Sequence, residues 1–324
     1  MLDGYDLGIG VLYPSIAKDE HEKALCRRAV GPLWDGKEVW LVGVGVALFA
    51  AFPPAFETAL SAFFPLIVTV LCCMVLRVVA CALRERDKGP APLWDALFFA
   101  GSLVPAILLG VMVGDIYVGV PLNEAGDYIG TPLLGLATPF TLLCGALGFT
   151  MMLTAGSSWL ALKAPKHADL RQRAQRYRRM LLVIDVVIFG CISLYGHFLI
   201  QPDMDPALSI LRFTCAGGFL ICMLACYMLG REDHNDLLVF FTQALSEILL
   251  VFLCAFTMFP NLVVAAAGSA GPSVGIARAV SPDAALATML AVAIIGILLV
   301  IVCHVFVYRA FRGRLADQEV DALV

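Results

Sequence analysis

The chain has 324 residues, of which 60% are hydrophobic and 15% charged, with a formal net charge of −4. A soluble domain carries about 45–50% apolar and about 25% charged residues, so this excess is too large for one buried core. The balance excludes a disordered chain, a small secreted disulfide scaffold and a nucleic-acid binder, which needs a basic surface.

The first element is short. Residues 2–16 read as the last turns of a helix that meets a membrane surface, and no secretory signal precedes them. That pattern predicts a further helix upstream of Met1, lost by truncation or a late start. Full-length apolar runs then follow at residues 39–56, 60–83, 95–118, 133–162, 180–200, 207–229, 237–259 and 284–311. Each approaches or exceeds the roughly 20 residues that cross a bilayer core as a helix. The predicted fold class is therefore an all-α integral membrane protein, a polytopic helical bundle with eight full spans plus the end of a truncated first one. One membrane domain covers 1–324. The echo between Ala50-Ala-Phe-Pro and Thr257-Met-Phe-Pro is compatible with two bundles, 1–119 and 133–259, followed by the last helix at 284–311.

Basic residues alternate between connections. Lys18, Lys23, Arg27, Arg28 and Lys37 precede the first full span, and Arg84, Arg86 and Lys88 follow the second. Seven Lys and Arg residues from Lys163 to Arg179 follow the fourth, Arg231 the sixth, and Arg309, Arg312 and Arg314 the last. The intervening connections contain only Arg278, with Arg212 just inside a span. The positive-inside rule puts the basic loops and the C-terminus in the cytoplasm.

Eleven cysteines, mostly inside apolar runs, do not form a disulfide framework. Cys222 and Cys226 share a helix face without a nearby histidine and read as packing residues. The five histidines are isolated, so haem ligation by this chain is not expected. No Walker loop, zinc spacing or dinucleotide fingerprint occurs.

Ionisable residues inside spans are costly and mark function. The densest group is Gly31-Pro-Leu-Trp-Asp-Gly-Lys-Glu-Val-Trp. Asp35 and Glu38 are three apart and share a helix face. Trp34 and Trp40 suit the membrane interface. Asp3 and Asp6 repeat the spacing on the same membrane side. Four carboxylates gathered there would repel one another and hold protons near neutral pH. The competing reading makes Asp35 an N-cap and Glu38 its capping-box partner. Arg77 either snorkels to the inner surface, the favoured reading on geometry, or pairs with Asp35 or Asp95. Asp95 reads as a cap, Glu57 and Asp115 as solvated at the outer face. Asp185 and Glu247 lie inside spans without a partner that the sequence names.

Three blocks, Asp3-Gly-Tyr-Asp-Leu-Gly-Ile-Gly, Pro32-Leu-Trp-Asp-Gly-Lys-Glu-Val-Trp-Leu and Phe49-Ala-Ala-Phe-Pro, resemble in order and spacing the second subunit of cytochrome bd-type quinol oxidases. Leu76-Arg-Val-Val, Gly101-Ser-Leu-Val-Pro, Gly119-Val-Pro-Leu, Met258-Phe-Pro and Tyr308-Arg-Ala-Phe-Arg-Gly extend the likeness over nearly the whole chain. The resemblance implies nine helices, a bacterial inner-membrane location and a cytoplasmic C-terminus. It implies a partner, subunit I, that carries haem b and haem d and oxidises quinol while oxygen is reduced to water. Small single-helix subunits, membrane lipid and a structural quinone complete the expected company, without nucleic acid. By the same resemblance the acid of Trp-Asp-Gly, Asp35, lines a cytoplasmic proton channel shared between subunits, with Glu38, Asp6 and Asp3 as companions. Trp34, Gly36, Trp40 and Arg77 are expected structural or interface residues. The segment 272–285 and the acids Asp185 and Glu247 depart from the family pattern, as a divergent or cyanide-insensitive member would. The rival readings are a secondary transporter and a purely structural membrane partner.

Overall fold

The computed structural model describes residues 3–30, 35–86, 90–131, 135, 137–165, 168–200, 206–231 and 235–310. In chain order the helices are α1 (Gly4–Ile16), α2 (Glu20–Val30), α3 (Asp35–Ala51), α4 (Pro53–Arg86), α5 (Ala91–Val118), α6 (Pro139–Lys163), α7 (Asp169–Tyr195), α8 (Pro206–Leu229), α9 (Asp236–Met258), α10 (Ile276–Ala279) and α11 (Asp283–Ala310). Among the described residues seven of them, α4 to α9 and α11, are long and apolar enough to cross a membrane. The protein is an all-helical integral membrane bundle.

Several boundaries differ from the sequence reading, each for a local reason. The run at 39–56 is divided: α3 ends at Ala51, and the Pro53-Pro54 pair starts α4. Proline is tolerated in a first helical turn, where its missing N–H has no partner to lose. The run at 133–162 becomes helical only at Pro139, where Thr138 and Thr141 cap each other reciprocally. Helix α7 begins at Asp169, so its basic first turns extend out of the apolar stretch as continuous helix.

The centre of the bundle is α1. Almost every residue from Gly4 to Tyr13 is buried. It lies in a slot between α5 and α6 that only glycine permits. A Cβ on Gly8 would stand 1.9 Å from the Met152 carbonyl oxygen, and one on Gly156 would stand 2.6 Å from the Ile9 nitrogen. A Cβ on Gly10 would overlap the Ser102 hydroxyl at 2.0 Å. Small residues let helix backbones approach closely where the lipid supplies no hydrophobic drive. Ring packing fills the remaining space: Tyr5 stacks on Trp159 at 4.6 Å, and Tyr13 meets Phe98 edge-on at 5.3 Å.

At one end of the bundle a two-stranded antiparallel ribbon, β1 (Asn261–Val263) and β2 (Val274–Gly275), covers α4 and α5. Val120, Leu122 and Val263 pack under it against Ala55, Phe63 and Leu66. Gly119 turns into this cap with φ +100, and a Cβ there would meet the Ala265 backbone at 2.8 Å.

Two helices stand apart. Helix α11 has no buried residue in its apolar window. Helix α3 presents Val42, Val44 and Val46 at 59–66% exposure. They meet where α3 ends and α11 begins, where Ser281 donates its hydroxyl to the Ala50 carbonyl at 2.8 Å and its amide to the Ala51 carbonyl at 2.9 Å.

Gly8→Val or Gly156→Val forces a branched side chain into backbone and is expected to destabilise by about 1–3 kcal/mol or more. The yield of folded protein extracted from membranes measures it. Gly190→Ala, which meets nothing within 4 Å, is the expected neutral control.

Candidate functional site

Several ionisable residues gather where α4 ends and α5 begins. Arg77, in α4, is 2% exposed and does not reach the surface. Its Nη2 pairs with Asp3 Oδ1 at 3.2 Å. This corrects the snorkelling expectation: among the described residues Arg77 has an ion-pair partner in Asp3, and the Asp35 side chain, the other expected partner, lies outside them. The reason is packing: the absence of a side chain on Gly101 brings α5 against the Arg77 backbone, where a Cβ would stand 3.0 Å from the Arg77 nitrogen. The guanidinium is thereby turned toward the start of α1. Asp6, one turn further along α1, is fully buried.

Asp35 opens α3, and Gly36 follows it in the same helix. Trp34 and the side chains of Asp35 and Glu38 lie outside the described residues. Trp40 is half-buried. Asp3, Asp6 and Arg77 therefore define the described part of the expected inner cluster.

Asp95 is not a helix cap. Helix α5 starts at Ala91, and Asp95 projects one turn later into a network. The Tyr13 hydroxyl donates to Asp95 Oδ1 at 2.7 Å, Lys23 Nζ to Oδ2 at 3.1 Å, and Arg84 Nε to Oδ1 at 3.2 Å. Arg27 Nη1 donates to the Tyr13 hydroxyl at 2.6 Å. Glu20 accepts from Lys23 at 3.0 Å and from Arg84 at 2.6 Å. Arg173 joins Glu22 and donates Nε to the Ile16 carbonyl at 3.0 Å. This clasp ties α1, α2, α4, α5 and α7 together at one end. Partial desolvation pulls the Lys23 ammonium down, but Glu20 and Asp95 outweigh it and hold it above its ordinary value. A raised lysine contributes fully below its unfolded value and is lost only as pH rises past the folded one, so this part of the clasp persists through neutral pH. Burial pushes the Cys26 thiol in α2 up to about 12, which keeps it from forming a thiolate at neutral pH.

A second group fixes the projecting start of α7. Arg171 binds Asp236 through Nε at 3.2 Å and Nη2 at 2.7 Å. Arg178 Nη1 reaches the other oxygen at 3.3 Å, and Nη2 reaches the Gly230 carbonyl at 3.5 Å. Much of the basic signal that marks the inner loops is thus used for structure.

Of two further acids, the first departs from expectation and the second keeps to its place inside a span. Asp115 is 3% exposed rather than solvated. Asp185 is fully buried and accepts a hydrogen bond from Thr154 at 2.7 Å. Among the described residues no group of three His, Cys, Asp or Glu side chains is placed to hold a metal ion. His197 sits in the wider π-helical turn that ends α7 (Gly196–Ile200). An apolar cavity of about 680 Å³ lies between α5, α6, α7, α8 and α9, with Tyr117, His197 and Arg212 on its lining.

Comparison with known proteins places this arrangement. The family model described as "Cytochrome bd terminal oxidase subunit II" matches residues 1–311. The chain is 28% identical to "Probable cytochrome oxidase subunit 2" of Haemophilus influenzae, over 98% of this chain and 92% of that protein. It is 29% identical to "Cytochrome bd ubiquinol oxidase subunit 2" of Bacillus subtilis, over 98% and 93%. It is 30% identical to "Cytochrome bd-I ubiquinol oxidase subunit 2" of Escherichia coli K12, over 63% of this chain and 56% of that one. A solved bd oxidase from Geobacillus thermodenitrificans shares the fold, with a TM-score of 0.73 at 16% identity, over 96% of this chain and 95% of that chain. The residues that point to an inner-face cluster and the architecture that carries them lead to one conclusion: the chain belongs to the cytochrome bd terminal oxidase subunit II family.

Proposed function

We propose that this chain is the subunit of a bacterial quinol oxidase that ligates no haem, braces the haem-bearing subunit I, and delivers cytoplasmic protons to it along a path headed by Asp35. The observation that carries the proposal is the position of α3. Asp35 starts this helix, and the helix turns a largely uncovered apolar face outward beside the equally uncovered α11. Subunit I seated on that pair would lie next to Asp35. Asp3, Asp6 and Arg77 stand at the inner part of the bundle as the polar lining that continues from this chain's side.

The physical task follows from oxygen reduction, which consumes protons at a site buried in partner protein. An unassisted charge in low dielectric is very costly. Carboxylates that exchange protons with one another and with water lower that barrier in steps. Arg77 has a positioning role here: its positive charge fixes Asp3 and keeps α1 and α4 in register. The clasp around Asp95 holds the same helices at their ends, so the acids keep their spacing as protons pass. In this orientation the basic ends and the C-terminus face the cytoplasm, and proton uptake from that side, with quinol protons released outside, separates charge without a pump.

Asp35→Asn is expected to lower quinol-dependent oxygen consumption at least tenfold while the purified complex keeps its haem absorbance. Unchanged turnover in an intact complex rejects the relay, and loss of the complex assigns Asp35 to structure instead. A tagged copy of this chain is expected to copurify with a haem-containing partner. Arg77→Leu leaves Asp3 without its cation and is expected to cost about 3 kcal/mol, read as a lower thermal midpoint of the complex. Combining it with Asp3→Asn is expected to restore part of that loss.

A further inference from the structure

The cavity between α5, α6, α7, α8 and α9 has a volume of about 680 Å³, the size of a pocket that takes a small organic molecule. Its lining changes with depth. Tyr117, His197, Arg212 and Thr257 line it where α5, α7 and α9 end and α8 begins, all at one end of the bundle. Gly110, Leu147, Gly148 and Leu250 line it further in. From Tyr117 to Gly110 the helix covers about 10 Å, at a rise of about 1.5 Å per residue. The floor is closed where α5 and α6 touch: a Cβ on Gly148 would stand 2.9 Å from the Gly110 Cα. The space is thus polar at the end of the bundle and apolar inward, the profile of a molecule with a head and a hydrocarbon tail.

Arg212 decides which head. Arginines buried elsewhere in the bundle are answered by acids, Arg77 by Asp3 and Arg171 and Arg178 by Asp236. Arg212 is half-buried, and among the described residues it has no carboxylate partner. Its guanidinium lies 5.2 Å from the Phe213 ring centre and near enough to the Tyr117 hydroxyl to act on it electrostatically. Tyr117 is itself hydrogen-bonded to Thr257. His197 is exposed on the lining, in the π-helical turn Gly196–Ile200, a type of turn frequent at functional sites. A cation at membrane depth calls for an anion, and tyrosine, threonine and neutral histidine supply none. A neutral quinone head would accept hydrogen bonds here and leave the charge unanswered. A phosphate diester answers it, because the guanidinium fork matches phosphate oxygens. The sequence carries the same pointer: on the side poor in basic residues Arg212 and Arg278 are the exceptions, and Arg212 is the one that lines the cavity.

We propose that this cavity binds an anionic glycerophospholipid, with its phosphate on Arg212 and His197 and one acyl chain running inward between α5 and α6. The site rests on the membrane-spanning fold and not on the Asp35 path.

The test is photo-crosslinking of the purified two-subunit complex in nanodiscs that contain a trace of phosphatidylglycerol with a diazirine in one acyl chain. Peptides from the cavity-lining parts of α5, α6, α8 and α9 are expected to carry the label. Phosphatidylcholine with the same acyl chains is expected to label them at least fivefold less. Arg212→Gln is expected to lower phosphatidylglycerol labelling of the cavity at least fivefold, with labelling elsewhere on the chain and the haem absorbance unchanged. Ala255→Phe, at an exposed part of the lining, narrows the space with Arg212 intact; it is expected to lower cavity labelling too, and it serves alone if the Arg212 variant does not assemble. Equal labelling by the two probes, or undiminished cavity labelling in either variant, overturns the proposal. So does an isoprenoid quinone that copurifies at one per complex, is retained in Arg212→Gln and is lost in Ala255→Phe, since that assigns the cavity to a neutral ligand. Asp35→Asn is expected to leave cavity labelling intact, so the two readings fail separately.

Discussion

A charge inside an apolar helical bundle has to be answered by another charge or by a hydrogen bond, and this requirement shapes the inner half of the molecule. Arg77 is turned inward to Asp3, Arg171 and Arg178 share Asp236, and Asp95 collects a tyrosine, a lysine and an arginine. Each pairing joins helices that are distant in sequence. The polar residues therefore do more than tolerate the membrane; they set which helices are neighbours and at what height.

Close backbone approach is the complementary device. Burial of apolar area drives little association between helices already surrounded by lipid. Shape then decides, and the glycines of α1 and α6 give α1 a seat that no side chain could enter. Tyr5, Trp159, Tyr13 and Phe98 lock the helix against sliding along that seat. The two devices reinforce each other, since the Asp3–Arg77 pair and the Tyr13–Asp95 bond fix the two ends of the same short helix.

Much of the architecture was legible in the chain. Apolar run length marked the long helices, and the family-like blocks around Asp3, Asp35 and Phe49 led to the family. What was missed depended on tertiary neighbours. Spacing shows that Arg77 lies inside a span, but its partner sits 74 positions away. The same distance blindness hid the Asp95 network and the burial of Asp115. The division at Phe52 was signalled by Pro53-Pro54 and outweighed by continuous hydrophobicity. For Asp185 and Glu247 the departure from the family pattern was the one signal available, and the Thr154 partner of Asp185 lies 31 positions away.

The Ser281 tie between α3 and α11 has a mechanical implication. Two hydrogen bonds from a single serine join the pair at one extremity. The hydroxyl and amide of that serine thus fasten to the bundle a helix that buries none of its own apolar window.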